Sequence, residues 1–304
     1  MCSSDLAEVL LAYVVLSEEL DPEVRGWGIG ALGALSACGH GMALLAFSMV
    51  EELPMGWRTL YLFGVPPLLA LTWLRRALPE TGRFERQREA EQRASLMPSA
   101  LLPLVQLMRA YPGRLAAIGA VIFLLNFSEN AAGFFGPKYF QEAHGWTPRE
   151  FATLGFFGGF LGIFGSTFAG RLSDRHGRRR IAMAFLSLHP LCVLGYYNTA
   201  GHWLAPLWIV AAFSGIGGGV VLAAYGNELF PTSYRSTASG ARMILATLGG
   251  VLGLAAESAL YLITGSHWVA ITWLAVLAVF APLVVAGFFP ETSGRSLESV
   301  APER

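Results

Sequence analysis

The sequence predicts an all-α membrane protein with eight full transmembrane spans and one partial span. Three observations predict it. The 304 residues are 54% hydrophobic and only 14% charged, against roughly 25% charged in soluble domains. The apolar residues gather into runs near the length that crosses a bilayer, about 20 residues of helix. The basic residues fall on alternate connections between those runs.

The runs are 26–50, 59–74, 115–136, 151–170, 181–198, 203–227, 238–262 and 268–289. The second is short, but Arg75 and Arg76 at its end can snorkel to the interface. Glu129 interrupts the third run, and Arg242 and Glu257 interrupt the seventh. The partial span is LAEVLLAYVVL, residues 6–16, which is apolar but too short to cross. The opening MCSSDLAEVLL lacks the basic start of a secretory signal.

The fourth run ends abruptly in GRLSDRHGRRR, residues 170–180, with five arginines. If that turn is cytoplasmic, alternation leaves only Arg58, Lys138 and Arg149 outside. The other eighteen of the 21 basic residues lie inside. This positive-inside bias sets the orientation and puts the C-terminus in the cytoplasm. Lys138 is the one lysine, a usage that points to a GC-rich bacterial genome and hence a bacterial inner membrane.

Composition also excludes functions. A net charge of zero argues against nucleic acid, which asks for a basic face. Cys2, Cys38 and Cys192 have neither disulfide nor metal spacing. No GxxxxGK[ST] loop is present, so ATP is not used directly. With no nucleophile motif and no metal cluster, no enzyme activity and no cofactor are expected.

Glycine recurs at 155, 158, 159, 162 and 165, and Ser166, Ala169 and Gly170 continue the stripe on one helix face. Small residues let helices approach closely in lipid. SGIGGGV at 214–220 repeats the device. Such a face serves static packing or sliding during conformational change.

The chain repeats itself. SEELDPEVRG at 17–26 matches GNELFPTSYRS at 226–236, so Glu18 and Arg25 correspond to Glu228 and Arg235 at an offset of 210. LPETGR at 78–83 matches FPETSGR at 289–295, pairing Glu80 with Glu291, and Trp57 corresponds to Trp268, both at an offset of 211. Repeated halves are a common transporter plan. GRLSDRHGRRR has no twin, because it would fall before residue 1. The expectation is a piece whose first half lacks its opening helices.

These motifs resemble those of the major facilitator superfamily, nearest its sugar-porter and organic-ion branches. Gly170, Asp174, Arg175, Gly177, Arg178 and Arg179 match the family's loop signature. The Glu-x6-Arg motif occurs twice. PETGRF and PETSGRSLE resemble the motifs after the sixth and twelfth helices. The resemblance implies a twelve-helix fold in two halves, of which this chain holds helices four (partial) to twelve. It divides the chain into 1–76, the rest of the N-terminal half; 77–112, a cytoplasmic linker; 113–289, the C-terminal half; and 290–304, a cytoplasmic tail. It implies a secondary transporter of a small organic solute, monomeric in the bilayer, working by alternating access and coupled to protons. A non-transporting sensor or scaffold on the same fold is the alternative.

The gating residues follow. Gly170 would let one helix approach another. Asp174 can face the start of the 238–262 helix, where unpaired N–H groups favour an anion. Arg178 can pair with Glu228, and Arg235 with an acid such as Glu291. With Arg175, Gly177, Glu18, Arg25 and Glu80, these would form a latch on the cytoplasmic side. For Arg179 and Arg180, fixing topology is the favoured role.

Ionisable groups within spans are functional candidates. Glu129 lies ~21 Å along its run, among Asn126, Ser128 and Asn130. It is either a proton or substrate site or an outer-end structural group. Gly133, Gly136 and Pro137 beyond it suit a helix that breaks as an outer gate. The stretch resembles the sugar-lining seventh helix of sugar porters, but without an intact QxxGxN. Glu257 can hydrogen-bond a neighbouring helix or carry a proton, and His40 can shuttle protons or merely pack. His189, before Pro190, reads as satisfying a kink.

Overall fold

The computed structural model describes residues 38–75, 102–231, 234–293 and 300. The described residues are helical, with no strand among them. The chain divides into two compact units, residues 1–99 with 148–153, and residues 100–147 with 154–304.

In the first unit, α1 (Cys38–Ser48) and α2 (Trp57–Arg75) are joined by a turn with Gly56 at φ 54°. The Arg58 guanidinium sits 4.5 Å over the Trp57 ring at the start of α2. Most of α2 is exposed, including Tyr61, Leu68 and Trp73. Pro66 and Pro67 inside it remove two backbone donors. Residues 26–37 of the first predicted span lie outside the described residues.

The second unit holds α3 (Leu102–Ala110), α4 (Pro112–Lys138), α5 (Pro148–His176, whose first six residues group with the other unit), α6 (Arg178–Tyr197), α7 (Leu204–Glu228), α8 (Arg235–Thr264), α9 (His267–Ala278) and α10 (Ala281–Phe288). Among the described residues, six helical stretches are long and apolar enough to cross a membrane: 112–143, 148–176, 178–197, 201–226, 237–264 and 267–288. They correspond to the last six predicted runs. The predicted run 59–74 is helical as α2 but is not one of the six.

Three boundaries differ from expectation. The arginine-rich segment is not a loop. α5 continues through Arg171–His176, and the chain turns on Gly177 alone before α6 begins. Gly177 has φ 98°, a conformation that side chains disfavour. The break expected near Gly136–Pro137 does not occur. α4 runs on to Lys138, past Pro137, and widens into a π-turn at Tyr139–Ala143. The last run is two helices, because Pro282 lacks an N–H and its ring would meet the Ala278 carbonyl of a continuous helix.

Close approach holds the helices together where lipid offers no hydrophobic drive. α8 lies against α4 through Gly249, Gly250 and Gly253. A Cβ on Gly249 would stand 2.7 Å from the Phe123 carbonyl oxygen, and one on Gly253 would collide with the Phe127 carbonyl. The stripe on α5 works in the same way, with Gly158, Gly162 and Gly165 seating Trp208, Ile216 and Phe213 of α7. A buried core closes the arginine-rich end around Leu107, Tyr111, Phe185, Tyr225, Phe230 and Phe289. Leu107 places α3, at the end of the predicted linker, in that core.

Candidate functional site: an ionic clasp and an acid–histidine pair

The first cluster gathers where α5 ends, α6 starts, α7 ends and the chain leaves α10. Arg178 is its centre. Its Nε donates to both oxygens of Glu228, at 2.6 and 2.7 Å. One terminal nitrogen lies 3.0 Å from Asp174 Oδ1, and the other donates to Ser173 Oγ at 2.9 Å. Thr292 Oγ1 donates to Glu228 Oε2 at 2.5 Å. Charge-assisted bonds of this kind are worth about 1.5–3 kcal/mol net. The side chains of Arg178 and Glu228 are each 17% exposed, so solvent screens them only in part.

Glu291 does something else. Its oxygens accept the backbone N–H of Arg178 at 2.7 Å and of Arg179 at 3.2 Å. Those are orphan donors at the start of α6, where the helix dipole favours an anion. Thr292 and Ser293 add two more N–H donors. Burial alone would push this carboxyl up, but the four backbone donors together hold it below the usual carboxylate range. Gly177 makes the cap possible, since a Cβ there would stand 2.5 Å from Glu291 Oε2. Ser293 Oγ also donates to the Asp174 carbonyl, and Tyr225 Oη to the Pro290 carbonyl.

These positions correct the expected latch in part. Arg178 and Glu228 meet as expected. Glu291 meets the α6 backbone rather than Arg235, whose Nε reaches the Phe230 carbonyl at 3.3 Å. A Cβ on Gly170 would have nothing within 4 Å, so close approach is not its role among the described residues. Asp174 is 63% exposed beside Arg178. Residues 232–233 lie outside the described residues, but α8 begins at Arg235 within them, and the expected meeting of Asp174 with that helix start is not seen; the Asp174 carboxylate meets Arg178 instead. Glu18, Arg25 and Glu80 also lie outside them. Arg175 and Arg180 are exposed.

The second cluster lies within the spans. Glu129 Oε2 on α4 is 2.9 Å from His189 Nε2 on α6. His189 Nδ1 is 2.7 Å from the Ala211 carbonyl on α7. The ring occupies space that a Cβ on Gly215 would invade, 2.8 Å from Cε1. Glu129 Oε1 is buried with no hydrogen-bond partner. A second acid–histidine contact joins Glu257 of α8 to His267 Nδ1 of α9 at 2.6 Å. The His267 ring is stacked on Phe135 and Tyr261 at 4.9 and 4.1 Å.

Asn126 and Asn130 sit elsewhere. Asn126 donates to the Ile122 carbonyl, and both lie against the α8 glycines 249 and 250, whereas Glu129 reaches α6. His40 is exposed on α1 in the other unit. Sequence reasoning missed His267, Ser173 and Thr292 and gave His189 a kink role. Thr292 follows Glu291 within the repeated PET motif, a signal that was available. No local signal links His189 to an acid 60 residues earlier. Among the described residues no group of side chains could hold a metal ion.

Comparison with known proteins agrees with this architecture. The family model described as Major Facilitator Superfamily matches residues 9–227 and 118–303. A probable 4-methylmuconolactone transporter of Cupriavidus pinatubonensis is 28% identical over 77% of this chain and 54% of its own length. The shikimate transporter of Escherichia coli is 25% identical over 82% of this chain and 58% of its own length. The chain thus spans little more than half of these relatives. In fold, it resembles the inward-open xylose transporter of Escherichia coli, with TM-score 0.66, 15% identity, and coverage of 95% of this chain and 67% of the other. A bacterial homologue of the human lysosomal transporter Spinster gives TM-score 0.60 at 14% identity, covering 93% of this chain and 76% of that one. A multi-pass helical membrane protein with matching motifs and matching fold, the chain belongs to the Major Facilitator Superfamily, a family of transporters rather than enzymes.

Proposed function

We propose that this chain is the larger part of a secondary transporter that moves a small organic solute by alternating access, coupled to protons. The observation that carries the proposal is the clasp. One guanidinium ties three helix ends together, through Asp174, Ser173 and Glu228, while Thr292 ties in the segment after α10. The contacts are only partly buried, so water can replace them when the end opens. Several such bonds can bias two states that differ by a few kcal/mol. In this reading the clasp faces the cytoplasm of a bacterial inner membrane, as the arginine count favours. The C-terminus lies on the same side, and the described spans are the fifth to twelfth helices of a twelve-helix monomer. Residues 1–76 then belong to the first half, 77–112 to the linker, 113–289 to the second half and 290–304 to the tail.

Relatives named for 4-methylmuconolactone and shikimate support a small organic solute. The test is uptake into proteoliposomes carrying the full-length protein, with shikimate as the first probe, with and without an imposed proton gradient. Gradient-dependent accumulation is expected. Binding without transmembrane movement, for any of a panel of small organic solutes, would instead favour a sensor.

A further inference from the structure

Glu129 and His189 form a site whose proton count is fixed by geometry. A carbonyl only accepts, so His189 Nδ1 must carry the hydrogen it shares with Ala211 O at 2.7 Å. The 2.9 Å contact between Nε2 and Glu129 Oε2 then needs one more hydrogen. It sits on nitrogen, giving imidazolium and carboxylate, or on oxygen, giving two neutral groups. Both arrangements hold the same number of protons, and both have zero net charge. We propose that the hydrogen between Glu129 and His189 is the exchangeable proton of the transport cycle, and that the closed contact seen here is the loaded state. This inference rests on the transport reading above and gives it a coupling site.

The exchange balances simply. On loading, one proton from water bonds to the pair and the contact closes. On release, the proton returns to water, and a carboxylate is left facing a nitrogen lone pair with a net charge of −1. That state is costly among apolar helices. It opens the contact and frees Glu129 to accept from water or from a solute hydroxyl. Glu129 Oε1 is buried and unpartnered already, so even the loaded pair keeps one acceptor in reserve. The side chains are 13% and 22% exposed, so neither is sealed from exchange. Gly215 gives the ring its slot.

The ionisable groups on the packed elements are few. The π-turn offers Tyr139, and α6 offers Tyr196 and Tyr197. Tyr197 Oη donates to the Ala132 carbonyl and Tyr139 Oη to the Tyr196 carbonyl. α8 carries Glu257 and Tyr261, with Arg242 towards its arginine-rich end. α9 carries His267, held by Glu257. α7 carries Tyr225 and Glu228 at its far end, and α10 carries none. Glu129 and Glu257 therefore each have their own histidine, whereas Glu142 of the π-turn lies 3.8 Å from Lys138 and Glu228 faces Arg178. Glu257 differs in being 1% exposed, with its histidine stacked between two rings, which makes it an internal control.

The experiment is an infrared pH titration of the full-length protein in lipid, following the carboxylic C=O stretch and the imidazole ring bands, which between them report the hydrogen on oxygen or on nitrogen. A band that titrates in the wild type is expected to vanish in Glu129→Gln and persist in Glu129→Asp. Removing the imidazole by His189→Gln is expected to change the same band, because the two side chains share one hydrogen. A band left unchanged by Glu129→Gln or by His189→Gln overturns the proposal. Gradient-driven accumulation indifferent to Glu129→Gln overturns the proton site and leaves transport standing. The expected band behaviour in a protein that moves no solute supports the site and overturns the transport reading.

Discussion

The two clusters treat carboxylates in opposite ways. At the arginine-rich end, Glu228 accepts from Arg178 and Thr292, and Glu291 accepts from four backbone N–H groups. Each acid is multiply held, so the cluster opens or closes as a whole. Within the spans, Glu129 has one recorded side-chain partner, an imidazole. A single proton decides its charge. The difference assigns different work to the same functional group: a mechanical clasp where donors are many, a chemical switch where they are few.

Arg178→Ala breaks this comparison most severely. It removes four contacts at once and leaves Glu228 without its cation. Unfolding in detergent should show a loss of about 2–4 kcal/mol, and uptake should fall with it. Arg178→Lys keeps the charge but not the fork, and should recover less than half of the loss. Gly177→Ala tests the cap. It places a side chain at φ 98° and against Glu291, at a cost of about 1–3 kcal/mol by the same measurement. Gly253→Leu probes the packing between α4 and α8 and should cost a similar amount through overpacking.

Acid gives the smallest effect. The folded pKa of Glu291 lies below its ordinary value of 4.5. A depressed carboxyl contributes stability above its unfolded pKa and loses it as pH falls through the folded one. The clasp should therefore hold its stability from neutral pH down to about 4.5 and weaken only below that. Melting temperature against pH should show this acid limb in the wild type, and a shallower one in Glu291→Gln.

The last six predicted spans were legible because hydropathy is a property of the linear chain. Arg178 and Glu228 were legible because each sits in a compact local motif, and the Glu-x6-Arg motif of Glu228 recurs at Glu18. Helix ends were less so. Residues 171–176 are charged, yet they extend α5 beyond the apolar run, because nothing in RLSDRH stops a helix before Gly177. Glu291 was misassigned because its partners are backbone amides, which carry no sequence signature. His189 escaped because its meeting with Glu129 depends on how α4 and α6 pack.

The most direct test of alternating access uses Ser173, which is fully buried beneath Arg178. Ser173→Cys is placed in a full-length protein free of other cysteines, and labelled by an impermeant thiol reagent from the clasp side. The account predicts slow labelling at rest and labelling about tenfold or more faster while a transported solute is cycling. It also predicts fast labelling without solute once Arg178→Ala is added. Equal rates under all three conditions would contradict it.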